Sequence, residues 1–380
     1  MEKKYKLSTL IVACAVCLLI GALILLGAVL IMAGGWDNLA YAGKYAAVAG
    51  IIEDRYIGDS DPEDMCDAAV SAMIASTGDR WSYYMTAEEY ENYKEYVANA
   101  YTGVGITILQ DEETGGLEIV SVNDGSPAEA AGLVSGDVLI AVDGEELTGM
   151  TTSEVKSIIQ SKNGNEMHFT VIHADGSRSE IPVTSGEIKV KAVTYEMLDG
   201  NIGYIRIVNF EVGSAEGTID AVEELTEQGA KSLIFDVRSN PGGRVSELTE
   251  LLDYLLPEGD IFVSVNKVGE ETVTKSDSSC VELPMAVLIN ADSYSAAELF
   301  AATLSEYGWA VTVGEATTGK GRSQITISLA DGSAVHISTN AYLTPDRVDL
   351  SAVGGIVPDY EVANSTEGDE QLETATKILS

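Results

Sequence analysis

Three polar side chains near the end of this 380-residue chain could together break an acyl bond: Ser295, Lys320 and Gln324. A serine hydroxyl is a weak nucleophile at its own pKa. It needs a base within hydrogen-bond reach and donors for the oxyanion that its attack creates. Ser295 follows an apolar run ending near Asn290 and opens a helical run to Tyr307, so unpaired N–H groups of a helix start, that of Ala296 among them, lie beside it. The same four residues, Ser295-Ala-Ala-Glu298, also fit a capping box, which needs no chemistry, and on this motif alone the cap is the simpler reading. Lys320 could act as the base if burial disfavoured its ammonium form. Gly319 and Gly321 would let its backbone approach a neighbouring element. Gln324, four residues on along an extended segment, could reach the lysine nitrogen and hold it.

Rival motifs overlap these residues. Gly314-Glu-Ala-Thr-Thr-Gly319-Lys320-Gly321 matches the phosphate-loop spacing, but Gly321 replaces the magnesium-binding hydroxyl. The segment from Ser323 alternates as a strand, where a phosphate loop would open a helix. Ser153-x-x-Lys156 mimics a penicillin-binding signature without its partner motifs and reads as structural. Of the three histidines, His168, His173 and His336, none accompanies a G-x-S-x-G elbow, and each reads as a satisfied strand residue.

The elements that must carry such a site are legible from Asn201 onward, where strand and helix alternate. Strands fall at 202–207, 231–238, 285–290 and 309–313, with helices at 214–228 and 244–256. This is an α/β layer, and its site belongs at strand ends. Residues 41–101 read as mostly helical, with a start at Asp61-Pro62 and a capping pattern at Thr86-Ala-Glu-Glu89. Tyr90, Tyr93 and Tyr96 share one helical face, either for packing or as an exposed aromatic surface for a homodimer. At Tyr101 the period becomes strand-like, and the backbone N–H groups of Val104, Gly105 and Ile106 could form a concave anion-binding nest.

The N-terminus differs from the rest. Lys3, Lys4 and Lys6 precede an uncharged run from Leu7 to Trp36. As a helix, residues 7–32 would be roughly 39 Å long, enough to cross a ~30 Å hydrocarbon core with tilt. The positive-inside rule then places the short N-terminus in the cytoplasm and residues 37–380 outside. A cleaved signal peptide is the alternative, though its apolar region usually spans only ~7–15 residues. The 22 basic and 60 acidic side chains are spread along the chain without basic clusters, which excludes nucleic acid as a partner and describes a solvated, self-repelling surface. Cys14 and Cys17 lie in the apolar run, and the spacing of Cys66 and Cys280 suggests neither a disulfide framework nor a metal site.

Two resemblances organise these observations. The glycine loop at Gly103-Val104-Gly105-Ile106, together with Ser126-Pro127-Ala128, Ala131-Gly132-Leu133, Gly136-Asp137 and Val142-Asp143-Gly144, resembles a PDZ domain. That resemblance implies capture of a peptide's C-terminal carboxylate at Val104, Gly105 and Ile106, with the peptide adding to the next strand. The whole order of features, with Asn240-Pro241-Gly242-Gly243, Gly314-Glu315, Gly319-Lys320-Gly321, Gln324, Tyr342-Leu-Thr-Pro345 and Pro358-Asp359, resembles the carboxyl-terminal processing proteases, Ser/Lys peptidases of family S41. It implies Ser295 as nucleophile, Lys320 as general base and Gln324 as its positioner. The oxyanion hole would be formed by N–H groups of Ala296 and of Gly242 or Gly243, with no metal or cofactor. The sequence departs from the family at Ala297, where a second serine is usual, and at Thr318, where a bulky aromatic is usual.

The expected architecture is a multidomain α/β (α+β) protein. Its parts are a cytoplasmic tip and transmembrane anchor over 1–36, a helical segment over 37–100, a PDZ domain over 101–187 and a protease core over 188–380. Its expected partners are peptides or proteins with accessible C-termini and, through the N-terminal helix, a membrane. A catalytically inactive PDZ-containing receptor or scaffold is the alternative.

Overall fold

The computed structural model describes residues 7–32, 34–111, 114–365 and 368–380. Lys3, Lys4 and Lys6, on which the expected orientation rests, lie outside them. The chain divides into two compact units, Met1–Asp79 and Arg80–Ser380. In the first, the helix Leu7–Met32 is uninterrupted, and Cys14–Ile31 is long and apolar enough to cross a membrane. Trp36–Arg55 and Pro62–Ala75 are further helices, the latter capped by the Asp61 carboxylate on the N–H of Glu63.

The second unit is built on a six-stranded sheet. Its order is Val193–Leu198, Ile202–Ile207, Ser232–Asp236, Met285–Ile289, Ala310–Gly314 and Tyr360–Glu361, parallel after the first antiparallel pair. Both faces are covered, which is why the central strands are near-continuous apolar runs. Leu233, Phe235, Val287 and Ile289 meet the helices Ser214–Glu227, Val245–Leu255 and Ala296–Glu306. Ile234, Ala286 and Leu288 pack with Ala375 of the C-terminal helix Glu370–Leu379.

A second, antiparallel sheet stands outside the sequence-based expectation except for the strand after Ser323 and the strand holding His336. It joins Tyr83–Met85, Ala334–Leu343, Gly259–Asn266 and Glu271–Ser276, with Arg322–Ser328 also paired to Ala334–Leu343. Its pairings span up to hundreds of residues, which local periodicity cannot show.

The PDZ-like part is a sheet ordered Ile106–Gln110, Leu117–Val122, Val138–Val142, Glu166–Ile172 and Arg178–Thr184, with the helix Thr152–Ser161. A short ladder between Ala100–Gly103 and Gly186–Lys189 closes its entry and exit. His173 is satisfied there as expected, with Asp137 Oδ1 at 2.7 Å and Ser179 Oγ at 2.9 Å. This has the connectivity of a serine-protease triad, but it pins a hairpin face outside both large cavities.

Candidate active site

Three loops leave the C-terminal ends of neighbouring parallel strands and converge, as the strand order of an open α/β sheet dictates. Ser295 comes after Met285–Ile289, the Asn240-Pro-Gly-Gly turn after Ser232–Asp236, and Lys320 after Ala310–Gly314. Ser295 occupies φ 62° and ψ −122°. A non-glycine residue held there is strained, and such strain at a strand-to-helix corner projects a side chain away from the backbone. The sequence contained no G-x-S-x-G motif to announce this elbow. Ser295, Lys320 and Gln324 all line one cavity of about 1060 Å³, together with Gly242, Gly243 and Ala296.

The corner and the lysine loop meet on one carboxylate. Glu298 is fully buried. Its Oε2 accepts from the N–H of Ser295 at 3.0 Å and of Lys320 at 2.8 Å, and its Oε1 from the Thr317 hydroxyl at 2.5 Å and the Gly319 N–H at 2.7 Å. Four donors, two of them N–H groups preceding and within the lysine turn, make burial of the charge tolerable. Sequence reasoning saw this residue only as the far end of a capping box. The pattern is the same, but its main partners lie about twenty residues away.

The Lys320 ammonium lies over aromatic faces, 4.7 Å from the Trp81 ring centre and 5.8 Å from that of Tyr294. Its carbonyl accepts from the Tyr342 hydroxyl. Burial raises the Tyr342 phenol far above its ordinary range, against the opposing effect of a hydrogen bond with the Ser295 side chain. Gln324 sits at a register shift between Ser323 and Gln324, and such irregularities re-aim side chains. Its amide nitrogen donates to Arg322 O at 3.0 Å and Ser338 Oγ at 2.9 Å. The amide oxygen is therefore the atom able to accept from an ammonium.

The glycine turn is fixed by Asn240. Its amide donates to Ile207 O at 2.8 Å and its Oδ1 accepts from the Gly242 N–H at 2.8 Å, while Phe210 N–H donates to Gly242 O and Arg244 N–H to Phe210 O. Gly243's own N–H stays outside this bridge. At Gly242, φ is +88° and an added Cβ would lie 2.7 Å from Ser295 Cβ and 2.8 Å from Ala296 N. Gly242→Ala is thus expected to push the serine corner away and lower kcat by about 10²-fold, the cost of a misplacement near 1 Å. Steady-state kinetics beside an unchanged circular dichroism spectrum would check it, and wild-type kcat would contradict it.

His336 is more than a strand residue. It lines the same cavity, stacks on Tyr83 at 4.7 Å and bonds Thr326 Oγ1 through Nδ1 at 2.8 Å. Burial, reinforced by Lys320, lowers its pKa to about 4, so the ring is neutral at ordinary pH. Tyr90, Tyr93 and Tyr96 also line the cavity, a use that neither packing nor dimerisation anticipated. At the departing positions, Ala297 is fully buried and the Thr318 hydroxyl donates to Ala291 O at 2.7 Å.

A second cavity of about 900 Å³ runs between the strand Ile106–Gln110 and the helix Thr152–Ser161, lined by Val104, Gly105 and Ile106. That strand is the edge of its sheet, so its outer backbone groups can pair with an added strand. Tyr96 lines both cavities. Gly105 has φ +82°, and a Cβ there would fall 2.3 Å from Ser126 Cβ. Gly105→Ala is expected to weaken binding of a peptide with a free C-terminus by about tenfold or more, for a loop distortion of ~1–3 kcal/mol. Fluorescence anisotropy with free-acid and amidated peptides would show it, and equal affinity of both proteins for the free acid would contradict it.

Comparison with known proteins adds to this geometry. The profile described as peptidase family S41 matches residues 201–362, and that described as a PDZ domain matches 118–172. The carboxyl-terminal-processing protease of Synechocystis is 30% identical over 326 residues, covering 82% of this chain and 76% of that protein. The carboxy-terminal processing protease CtpA of Bacillus subtilis is 33% identical over 297 residues, covering 78% of this chain; the aligned part spans 63% of that relative's length. Among solved structures, the tricorn protease has a TM-score of 0.51 at 17% identity, covering 90% of this chain and 34% of that one. An S41 protease structure from Bacteroides fragilis has a TM-score of 0.50 at 17% identity, covering 84% of this chain and 90% of that one. These two likenesses concern the fold.

Proposed function

Because the chain belongs to the carboxyl-terminal processing proteases of peptidase family S41, we propose that it is a serine endopeptidase in which Ser295 attacks a peptide bond and Lys320 takes and returns the proton. The observation that carries this reading is the Glu298 carboxylate, which holds the Ser295 and Lys320 N–H groups on one oxygen and so fixes both backbones in one frame. In this reading Lys320 accepts the hydroxyl proton as Ser295 attacks and delivers it to the leaving amine. It then activates the water that hydrolyses the acyl-enzyme. Gln324 steadies the lysine through its amide oxygen. Ala296 N–H and, of the two glycines, Gly243 N–H receive the oxyanion, since the Gly242 N–H already serves Asn240.

The groove at Val104, Gly105 and Ile106 captures a substrate's C-terminus, which limits cleavage to proteins with an accessible tail. The helix Leu7–Met32 anchors the enzyme as a single-pass protein with its catalytic part outside the cell. A homodimer would use exposed surface of the helices after it, where Tyr41, Val48 and Ile51 are exposed.

Covalent labelling tests the catalytic reading directly. A fluorophosphonate is expected to modify wild-type protein at Ser295, as read by peptide mass spectrometry, and to leave the Lys320→Ala protein unlabelled. Labelling at another serine, or equal labelling of both proteins, would count against it.

A further inference from the structure

One carboxylate in the catalytic cavity has no part in the Ser295–Lys320 chemistry. Glu211 lies in the loop after Ile202–Ile207, is only 6% exposed, and lines the cavity that contains Ser295. Its backbone is held in place: the N–H donates to Asn209 Oδ1 at 3.0 Å, and the adjoining Phe210 is bridged to the glycine turn. Its Oε2, by contrast, is buried without a hydrogen-bond partner among the described residues. Arg244 Nε stands 3.5 Å away, close enough to supply charge but beyond good hydrogen-bond geometry, and that side chain is 47% exposed. Burial raises the Glu211 carboxyl to about 7, with Glu247 adding to the rise and Arg244 opposing it. A buried acceptor whose one cationic neighbour is a half-exposed arginine at 3.5 Å has room, at the wall of a substrate cavity, for a better-placed donor on the substrate.

The surroundings say which donor. Tyr83 and Tyr96 line the same cavity as Glu211. Aromatic faces attract cations. This cavity already does so with its own lysines, since Lys94 Nζ is 5.1 Å from the Tyr90 ring centre and Lys320 Nζ 5.8 Å from that of Tyr294. A backbone N–H would satisfy Oε2 but leave the rings unused, whereas an ammonium or guanidinium group uses both. The position within the substrate comes from Tyr96, which belongs to the catalytic cavity and to the peptide groove alike. A substrate captured by its C-terminus passes this residue on the way from the cut bond to its tail.

We infer that Glu211 selects substrates bearing a lysine or arginine side chain between the cut bond and the C-terminus, a specificity that rests on the endopeptidase reading. The test uses full-length protein in detergent and one flexible parent peptide with a free C-terminal carboxylate. A single Lys is moved along the peptide, Gln occupies the same place in each control, and cut positions are read by mass spectrometry. At pH 8 the best Lys peptide is expected to exceed its control in kcat/KM by about tenfold, the factor of one moderate charge pair. In Glu211→Gln that ratio falls to about one.

Lowering the pH from 8 to 6 shrinks the wild-type ratio as Glu211 takes up a proton. The groups facing it are Arg244, Glu247, Tyr83 and Tyr96, and a Glu247→Gln protein that keeps the pH response assigns it to Glu211. A wild-type ratio near one at every position, or a ratio unchanged by Glu211→Gln, overturns the inference. Binding of the same labelled peptides to Ser295→Ala protein separates the two readings. If wild type cuts neither peptide, the endopeptidase reading fails. Tighter binding of the Lys peptide that disappears in Ser295→Ala/Glu211→Gln still supports the carboxylate's role, and equal binding overturns it.

Discussion

Ser295→Ala is expected to lower kcat on a disordered protein substrate by about 10⁴-fold or more, Lys320→Ala to be of similar severity, and the double substitution to be no worse than either. The non-additivity comes from the proposed roles: without its hydroxyl the lysine has no proton to take, and without its lysine the hydroxyl stays a poor nucleophile. Ser295→Ala should leave the thermal midpoint nearly unchanged, since the backbone N–H at 295 still reaches Glu298. Single-turnover cleavage monitored on gels and by mass spectrometry measures these rates. A Ser295→Ala rate above about 1% of wild type would sink the assignment of that residue as nucleophile.

The second large effect belongs to Glu298. Alanine there strands the N–H groups of Ser295, Gly319 and Lys320 and the Thr317 hydroxyl in a buried space. At ~1–3 kcal/mol for each orphaned group, with partial relaxation, the expected loss is about 3–5 kcal/mol, near that of breaking a buried ion pair. Glu298→Gln keeps one acceptor oxygen but turns an NH₂ toward donors. It is expected to fold with a smaller loss and still reduce kcat about 10²-fold with little change in KM, because the two backbones are no longer set in one frame. Denaturant titration and steady-state kinetics distinguish these outcomes. A Glu298→Gln protein with wild-type kcat would show that the carboxylate supports the fold without positioning the dyad.

The sequence made some layers of this structure readable and hid others for physical reasons. The parallel sheet was legible because burial on both faces writes apolar runs such as Met285–Ile289, and the helix at Ala87–Val97 because Thr86 and Glu89 form the capping box they spell. The PDZ-like part was legible because its turns need glycine at fixed places. The antiparallel sheet was legible only in part, because the pairings of Tyr83–Met85 and Gly259–Asn266 with Ala334–Leu343 cross long sequence separations. Ser295, Lys320 and Gln324 could be named from spacing and resemblance, and they line one cavity. Glu298, His336 and Glu211 carry no distinguishing local pattern. A capping glutamate, a strand histidine and a loop glutamate look alike wherever they occur, and only the fold tells what each faces.

One pairing bears on the enzyme's biosynthesis. The strand Tyr83–Met85, which brings Tyr83 to the catalytic cavity, finds its partner only in Ala334–Leu343, with Tyr83 opposite His336. A ribosome adding ~5–20 residues per second needs roughly 10–50 s to make the intervening stretch of about 250 residues. During that interval Ser295 and Lys320 are made, but the strand opposite Tyr83 follows both of them. The wall opposite Tyr83 is therefore completed only when almost all of the chain has been made.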